Sequence, residues 1–171
     1  MNQTYRAWQA GFVRRWHTNF DLCHTIDCDA GHQGRVAVLV LSLFPHASRS
    51  LLISALTHDQ GEIAVGDVSY MVKIENPTMR PILDELERAE VARQGLPQCS
   101  LTPDEAQALK LCDWLDAWLW MARHRPELAS RADWMAQLES TMKTAEALGV
   151  QEKVAALIEA VVEAILREMK G

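Results

Sequence analysis

The sequence predicts an all-α fold, a single helical-bundle domain over residues 1–171. Apolar residues recur at three- and four-residue spacing along nearly the whole chain, as one face of a helix requires. The one continuous apolar run, Val36 to Leu43, has the flanks and length of a helix, and no other stretch reads as a strand. Pro45, Gly149 and the start signal Thr102-Pro103-Asp104-Glu105 break the chain where helices should end or begin.

The first helix is expected from Tyr5 to Arg15, with Trp8, Phe12 and Val13 on one side and Arg14 and Arg15 at its end. Asp21 to Asp29 is polar and irregular, and Asp29 has the chemistry of an N-cap. The next helix, about Gly31 to Phe44, is apolar nearly all round and should be central. Pro45 stops it. Ser48 starts another helix, with Leu51, Leu52, Ala55 and Leu56 at helical spacing, that ends near His58-Asp59. Gly61 to Gly66 is a short segment whose glycines let the chain turn sharply. Met71 to Pro77 reads as a connector and Thr78 to Gln94 as a charged helix. Leu96 to Ser100 is a loop. Thr102 as N-cap, Pro103 at N1 and Glu105 at N3 then open a helix to about His124. Glu127–Leu148 and Gln151–Lys170 are two amphipathic helices separated by Gly149.

Composition excludes several classes. A formal net charge of −6 argues against general binding to polymeric nucleic acid, which needs a basic surface, but not against a small anionic substrate. Val36 to Phe44 is far shorter than the ~20 residues that span a bilayer. Met1 to Gly11 lacks a charged start followed by an apolar run, so no signal peptide is expected. Cys23, Cys28, Cys99 and Cys112 show no zinc-ribbon spacing and read as reduced, passive thiols, consistent with a cytoplasmic protein. Six tryptophans against three Phe and two Tyr are an unusual excess; Trp114, Trp118, Trp120 and Trp134 suit a core or a subunit contact.

The chemistry-bearing residues are His32, the pair His58-Asp59, then Glu62 and Asp67, with an aspartate far along the chain. A lone histidine in an apolar helix is more often a core residue than a ligand. His32 gains weight because Gly31 and Gly34 flank it and permit close approach of another element. Gathering His58, Asp59, Glu62 and Asp67 beside apolar helices would be costly unless a cation neutralised them. Asp113 and Asp116 lie three apart on one helix, and spacing leaves open which of them is buried.

The order His32, His58-Asp59, Asp113 resembles the HD-domain phosphohydrolase superfamily. Arg15-Trp16, His58-Asp59-x-x-Glu62-x-x-x-Gly66-Asp67 and Lys73 resemble its bacterial 5′-deoxynucleotidases over roughly residues 11–119, leaving C-terminal helices over 120–170. The run Arg14-Arg15-Trp16-His17-Thr18-Asn19 is similar to small phage HD-domain dATP triphosphohydrolases. Gly61 stands where the nucleotidase pattern usually has serine, and Ser69-Tyr70-Met71 where proline-containing sequences are common.

The resemblance implies that His32, His58, Asp59 and Asp113 ligate a divalent ion, Co, Mn, Zn, Fe or Ni, with a second ion such as Mg accompanying the phosphates. It further implies Glu62 and Asp67 as the catalytic pair, one handling the attacking water and the other the leaving oxygen, in exchangeable roles. Arg15 and Lys73 would hold phosphate charge, and Trp16 the base or sugar. The expected activity is dATP hydrolysis to deoxyadenosine and triphosphate, by a homo-oligomer in the cytoplasm (the host's, if phage-encoded). The alternatives are a 5′-deoxynucleotidase acting on monophosphates and an inactive HD protein that binds nucleotides.

Overall fold

The computed structural model describes residues 2–168, with Met71 described by its backbone alone. Among these residues the chain forms eight α-helices and two 3-10 turns and no β-strand, so the class is all-α. The helices are α1 Gln3–Ala10, α2 Asp29–Leu43, α3 Arg49–Thr57, α4 Tyr70–Glu75, α5 Met79–Gln94, α6 Pro103–His124, α7 Ala132–Ala147 and α8 Gln151–Glu168. The 3-10 turns are Gln60–Ala64 and Pro126–Ser130. Lys170, the expected end of the last helix, lies outside the described residues. No helix among those described is long and apolar enough to cross a membrane. The chain divides into two compact units, residues 1–34 with 53–99 and residues 35–52 with 100–171.

In the first unit α5 packs on the turn Gln60–Ala64, and α1 packs on both. Helix α1 stops at Ala10, not at Arg15 as its composition suggested. The cause is competition from the segment before α2. Arg15 donates its backbone N–H to the Asp27 carbonyl at 3.2 Å, and Asp29 donates to the Val13 carbonyl at 3.1 Å. These bonds draw Val13 to Arg15 out of the helix and into an extended pairing. Gly11 makes this approach possible, since a Cβ there would stand 2.9 Å from the Ala30 Cβ. Asp29 is the first residue of α2 rather than its cap, and its carboxylate bonds to no backbone N–H among the described residues.

Two further expectations in this unit are corrected. The expected connector Met71 to Pro77 is largely helical, falling on α4, which Ser69 begins by accepting the Val72 N–H at 3.4 Å; six residues are too few to show a helical period. A side chain at Gly34 would meet nothing within 4 Å, so that glycine serves no close approach. Helix α5 ends as a helix followed by glycine should, with Gly95 left-handed at φ 67°. Its buried Glu90 is held by Arg6 Nε at 2.5 Å and by Arg93 Nη1 at 3.2 Å.

In the second unit α6, α7 and α8 pack on one another. The capping box at the start of α6 is formed: Thr102 Oγ1 accepts the Glu105 N–H at 3.2 Å, and Glu105 Oε2 accepts the Thr102 N–H at 2.8 Å. This helix buries Leu111, Cys112, Leu115, Trp118 and Met121. The expected helix Glu127–Leu148 is instead the turn Pro126–Ser130 followed by α7, because Arg131 between them is extended. Of the α2 residues in this unit, Val36, Val40 and Leu43 are buried while Val38 and Leu41 are more than half exposed. Helix α2 is therefore not enclosed on all sides.

Trp118 and Trp134 are core residues. Trp114 and Trp120 are half-buried, under Lys110 Nζ at 4.6 Å and the Arg35 guanidinium at 4.5 Å from the ring centres. Arg35 also forks onto Asp116, Nε to Oδ1 at 2.7 Å and Nη2 to Oδ2 at 3.1 Å. Of Asp113 and Asp116, Asp116 is the buried one, and it carries an ion pair. All four cysteines are free, and burial, helped by Asp113, pushes the Cys112 thiol up to about 12, keeping it protonated.

Candidate metal centre

The centre lies in the first unit, where α2 supplies His32, the end of α3 leads into His58-Asp59, and the following turn carries Glu62. His32 projects from the second turn of α2 and is fully buried. His58 follows the last residue of α3, and its Nδ1 faces the Ala55 carbonyl at 3.1 Å. A carbonyl only accepts, so Nδ1 carries the proton and Nε2 presents its lone pair in the neutral ring. That Nε2 stands 3.1 Å from the Nε2 of His32. Asp59 Oδ2 completes the triangle, 3.4 Å from His32 Nε2 and 3.5 Å from His58 Nε2.

This donor set fits a divalent transition ion. Ligand nitrogens each ~2.0–2.1 Å from a common ion stand roughly 3 Å apart when their bonds meet near a right angle. Two imidazoles and a carboxylate are the ligand types such ions take, and the backbone carbonyl behind His58 is the kind of outer partner that fixes a ligand's tautomer. His32, His58 and Asp59 thus form a group able to hold a metal ion.

Around the triangle stand charged groups of both signs. Arg15 donates Nη1 to Asp59 Oδ2 at 2.9 Å, and its Nε lies 3.9 Å from Asp27 Oδ2. The pairing that shortened α1 delivers Arg15 here. Trp16 follows it with φ 64°, a left-handed conformation that a bulky residue rarely adopts. Asp67 secures that backbone, accepting the Trp16 N–H on Oδ2 at 3.0 Å. The strain is stored beside the candidate site, with the Arg15 guanidinium 5.6 Å from the Trp16 ring centre.

Glu62 is buried in the turn Gln60–Ala64, and its Oε2 has no hydrogen-bond partner among the described residues. Burial first, then the charges of Asp59, Asp67 and Asp29, push its carboxyl well above the usual carboxylate range. Asp29 is fully buried one helical turn before His32, and neither of its carboxylate oxygens has a hydrogen-bond partner among the described residues. Its carboxyl rises to about 7, through burial and then the nearby Asp59 charge.

Helix α5 closes over the turn. Gly61 is there for space, because a Cβ would lie 2.6 Å from the Glu87 Cβ and 2.7 Å from the Glu87 Cα and carbonyl oxygen. Gln94 also donates Nε2 to the Gln60 carbonyl at 2.8 Å. Glu87 is half-buried, its carboxyl raised by burial, while the Lys73 charge acts in the opposite direction.

The structure therefore gathers His32, His58, Asp59, Arg15, Trp16, Glu62 and Asp67 in one neighbourhood, with Lys73 electrostatically linked to Glu87. Asp113 stands on α6 in the second unit, half-buried. Asp29 and Glu87 are the residues that sequence reasoning missed. Asp29 had one signal, its i, i+3 relation to His32, whereas Glu87 had none. No protein-family model, curated protein or solved structure matches the chain.

Proposed function

We propose that the protein is a metal-dependent phosphohydrolase of the HD type that cleaves dATP to deoxyadenosine and triphosphate. The observation that carries this reading is the triangle of His32, His58 and Asp59, with Arg15 bonded to the same aspartate. His32, His58 and Asp59 would hold Co, Mn, Zn, Fe or Ni; Asp113 joins them on the strength of the sequence pattern alone. When bound, the ion supplies Lewis acidity, neutralising phosphoryl charge and making water easier to deprotonate.

The chain's own residues do the rest. Arg15, turned toward the centre by its pairing with Asp27 and Asp59, offers a forked donor set for phosphate oxygens. Glu62 orients the attacking water and takes its proton, and a carboxyl raised by burial is a stronger base than an ordinary glutamate. Asp67 uses Oδ2 to hold Trp16 and has its other oxygen for a proton to the departing nucleoside. Trp16, fixed in its strained backbone, packs on base or sugar, while Lys73 answers the far phosphates as a point charge. Residence in the cytoplasm and homo-oligomerisation belong to the same reading; the exposed aromatic cluster of Tyr5 and Trp8 on α1 with Phe12 just beyond its end supports the second.

Product analysis tests the reading. Chelator-stripped protein, reloaded with Co²⁺ or Mn²⁺, is offered the four dNTPs and their monophosphates, and products are separated by ion exchange. Deoxyadenosine with intact triphosphate is the expected result. Orthophosphate from monophosphates alone makes the protein a 5′-deoxynucleotidase, and no turnover with any of them leaves a nucleotide-binding role.

A further inference from the structure

A cavity of about 480 Å³ lies between the start of α1 and the end of α5, walled by Gln3 and Arg6 from α1 and by Glu90 and Arg93 from α5. Small-molecule sites run from roughly 300 to 1,000 Å³. Glu90 is fully buried, and the bond from Arg6 holds its carboxyl below the usual carboxylate range, so it is charged. One guanidinium suffices for a carboxylate, since its fork can take both oxygens. Here two arginines divide it, Arg6 Nε on Oε1 at 2.5 Å and Arg93 Nη1 on Oε2 at 3.2 Å. The side chain of neither arginine bonds to anything else among the described residues. Both Nη groups of Arg6, and Nε and Nη2 of Arg93, therefore remain as donors, and Gln3 adds its amide. Two cations against one anion leave a positive charge in excess here, in a chain whose formal net charge is −6.

We infer that Gln3, Arg6 and Arg93 form a binding site for a phosphate group, sharing no residue with the metal centre and built on the clamp at Glu90. Planar guanidiniums match phosphate oxygens with paired N–H donors. Glu90 holds both of them before a ligand arrives, so binding has less side-chain freedom to remove. Its own charge opposes an anion, and the two guanidiniums outweigh it. Among the described residues no aromatic or aliphatic side chain lines the cavity, so nothing there grips a base and the phosphate itself carries the recognition. This binding does not depend on the phosphohydrolase reading.

The test is calorimetric titration of chelator-stripped full-length protein with inorganic phosphate, so that no metal ion is present to bind it. Wild type is expected to take up one phosphate saturably. Arg93→Gln should bind it at least about tenfold more weakly, the loss of one hydrogen bond to a charged group, while Arg15→Gln binds it as wild type does. The Arg93 side chain is 68% exposed and Arg6 still holds Glu90 without it, so the variant should melt like wild type. Arg93→Lys, which keeps the charge and loses the fork, should fall between the two. Wild-type protein with no saturable uptake overturns the site. So does Arg93→Gln protein that binds like wild type, and so does a loss confined to Arg15→Gln, which puts the phosphate at the metal centre. Titration with dAMP then identifies the source: tighter binding than phosphate assigns the site to a nucleotide's phosphate, equal or weaker binding to the free ion, and either leaves it standing.

Discussion

Replacing Gly61 by serine perturbs the centre without replacing any of its charged groups. Gly61 does not need a left-handed backbone, so the substitution is purely a question of room. The new Cβ would stand 2.6 Å from the Glu87 Cβ, and ordinary contact begins at 3.4 Å, so turn and helix must part by about 0.8 Å, the difference between the two. The obstacle includes the Glu87 backbone, which no rotamer change can move aside. Overpacking of this kind costs about 1–3 kcal/mol. For a chain of this length that corresponds to a fall in melting temperature of roughly 2–12 °C. The displaced segment carries Glu62, and a misplacement near 1 Å can cost about a hundredfold in rate. Thermal denaturation by circular dichroism and steady-state kinetics read the two effects. A Gly61→Ser protein that melts within about 1 °C of wild type at undiminished turnover would refute the argument that α5 is seated on this glycine.

The remaining predictions concern charge. Asp59→Asn should keep the fold and lose metal affinity by at least about tenfold, as calorimetric titration with Co²⁺ would show; a variant that unfolds would mark the metal as structural. Arg35→Ala should destabilise more than Asp116→Ala, because it strips a buried carboxylate of its forked partner at a cost of about 3–5 kcal/mol. Asp116→Ala leaves a guanidinium that can reach water; equal melting temperatures for the two variants would contradict this. In chelator-treated protein the folded state holds the Asp29 proton more tightly than the unfolded chain, about 7 against ~3.9. The stability this confers is complete below about pH 4 and lost as the pH rises through about 7. The melting temperature of wild type relative to Asp29→Asn should therefore fall from pH 5 to pH 8, and a difference that stays flat would show that Asp29 titrates normally.

Long elements were readable because several local signals agreed on them. Thr102 and Glu105 fix the start of α6 through bonds to each other, with Pro103 at the first helical position, and Gly95 ends α5 through its own backbone freedom. The His58-Asp59 pair and His32 were equally readable, since their side-chain chemistry and order suffice to suggest a ligand set. What was hidden depends on contacts distant in sequence. Helix α1 ends early because residues 27–30 compete for its backbone, and Gly61 reads as a turn glycine although what demands it is Glu87 packed against it. The left-handed Trp16 depends on Asp67, 51 residues away. Asp29 looked like a cap because aspartate before an apolar helix usually is one; its buried, unbonded carboxylate is a tertiary fact. Val38 and Leu41 show the same limit from the other side, since an apolar pattern marks a face without saying what covers it.

The central claim is that His32, His58 and Asp59 hold a catalytic ion, and metal-dependent turnover tests it most directly. Chelator-stripped protein should be folded and inactive toward dATP, regain activity as one equivalent of Co²⁺ is added, and stay inactive as His58→Ala or Asp59→Asn under the same addition. Stripped protein that hydrolyses dATP at the reloaded rate, or a His58→Ala protein restored like wild type, would contradict the account.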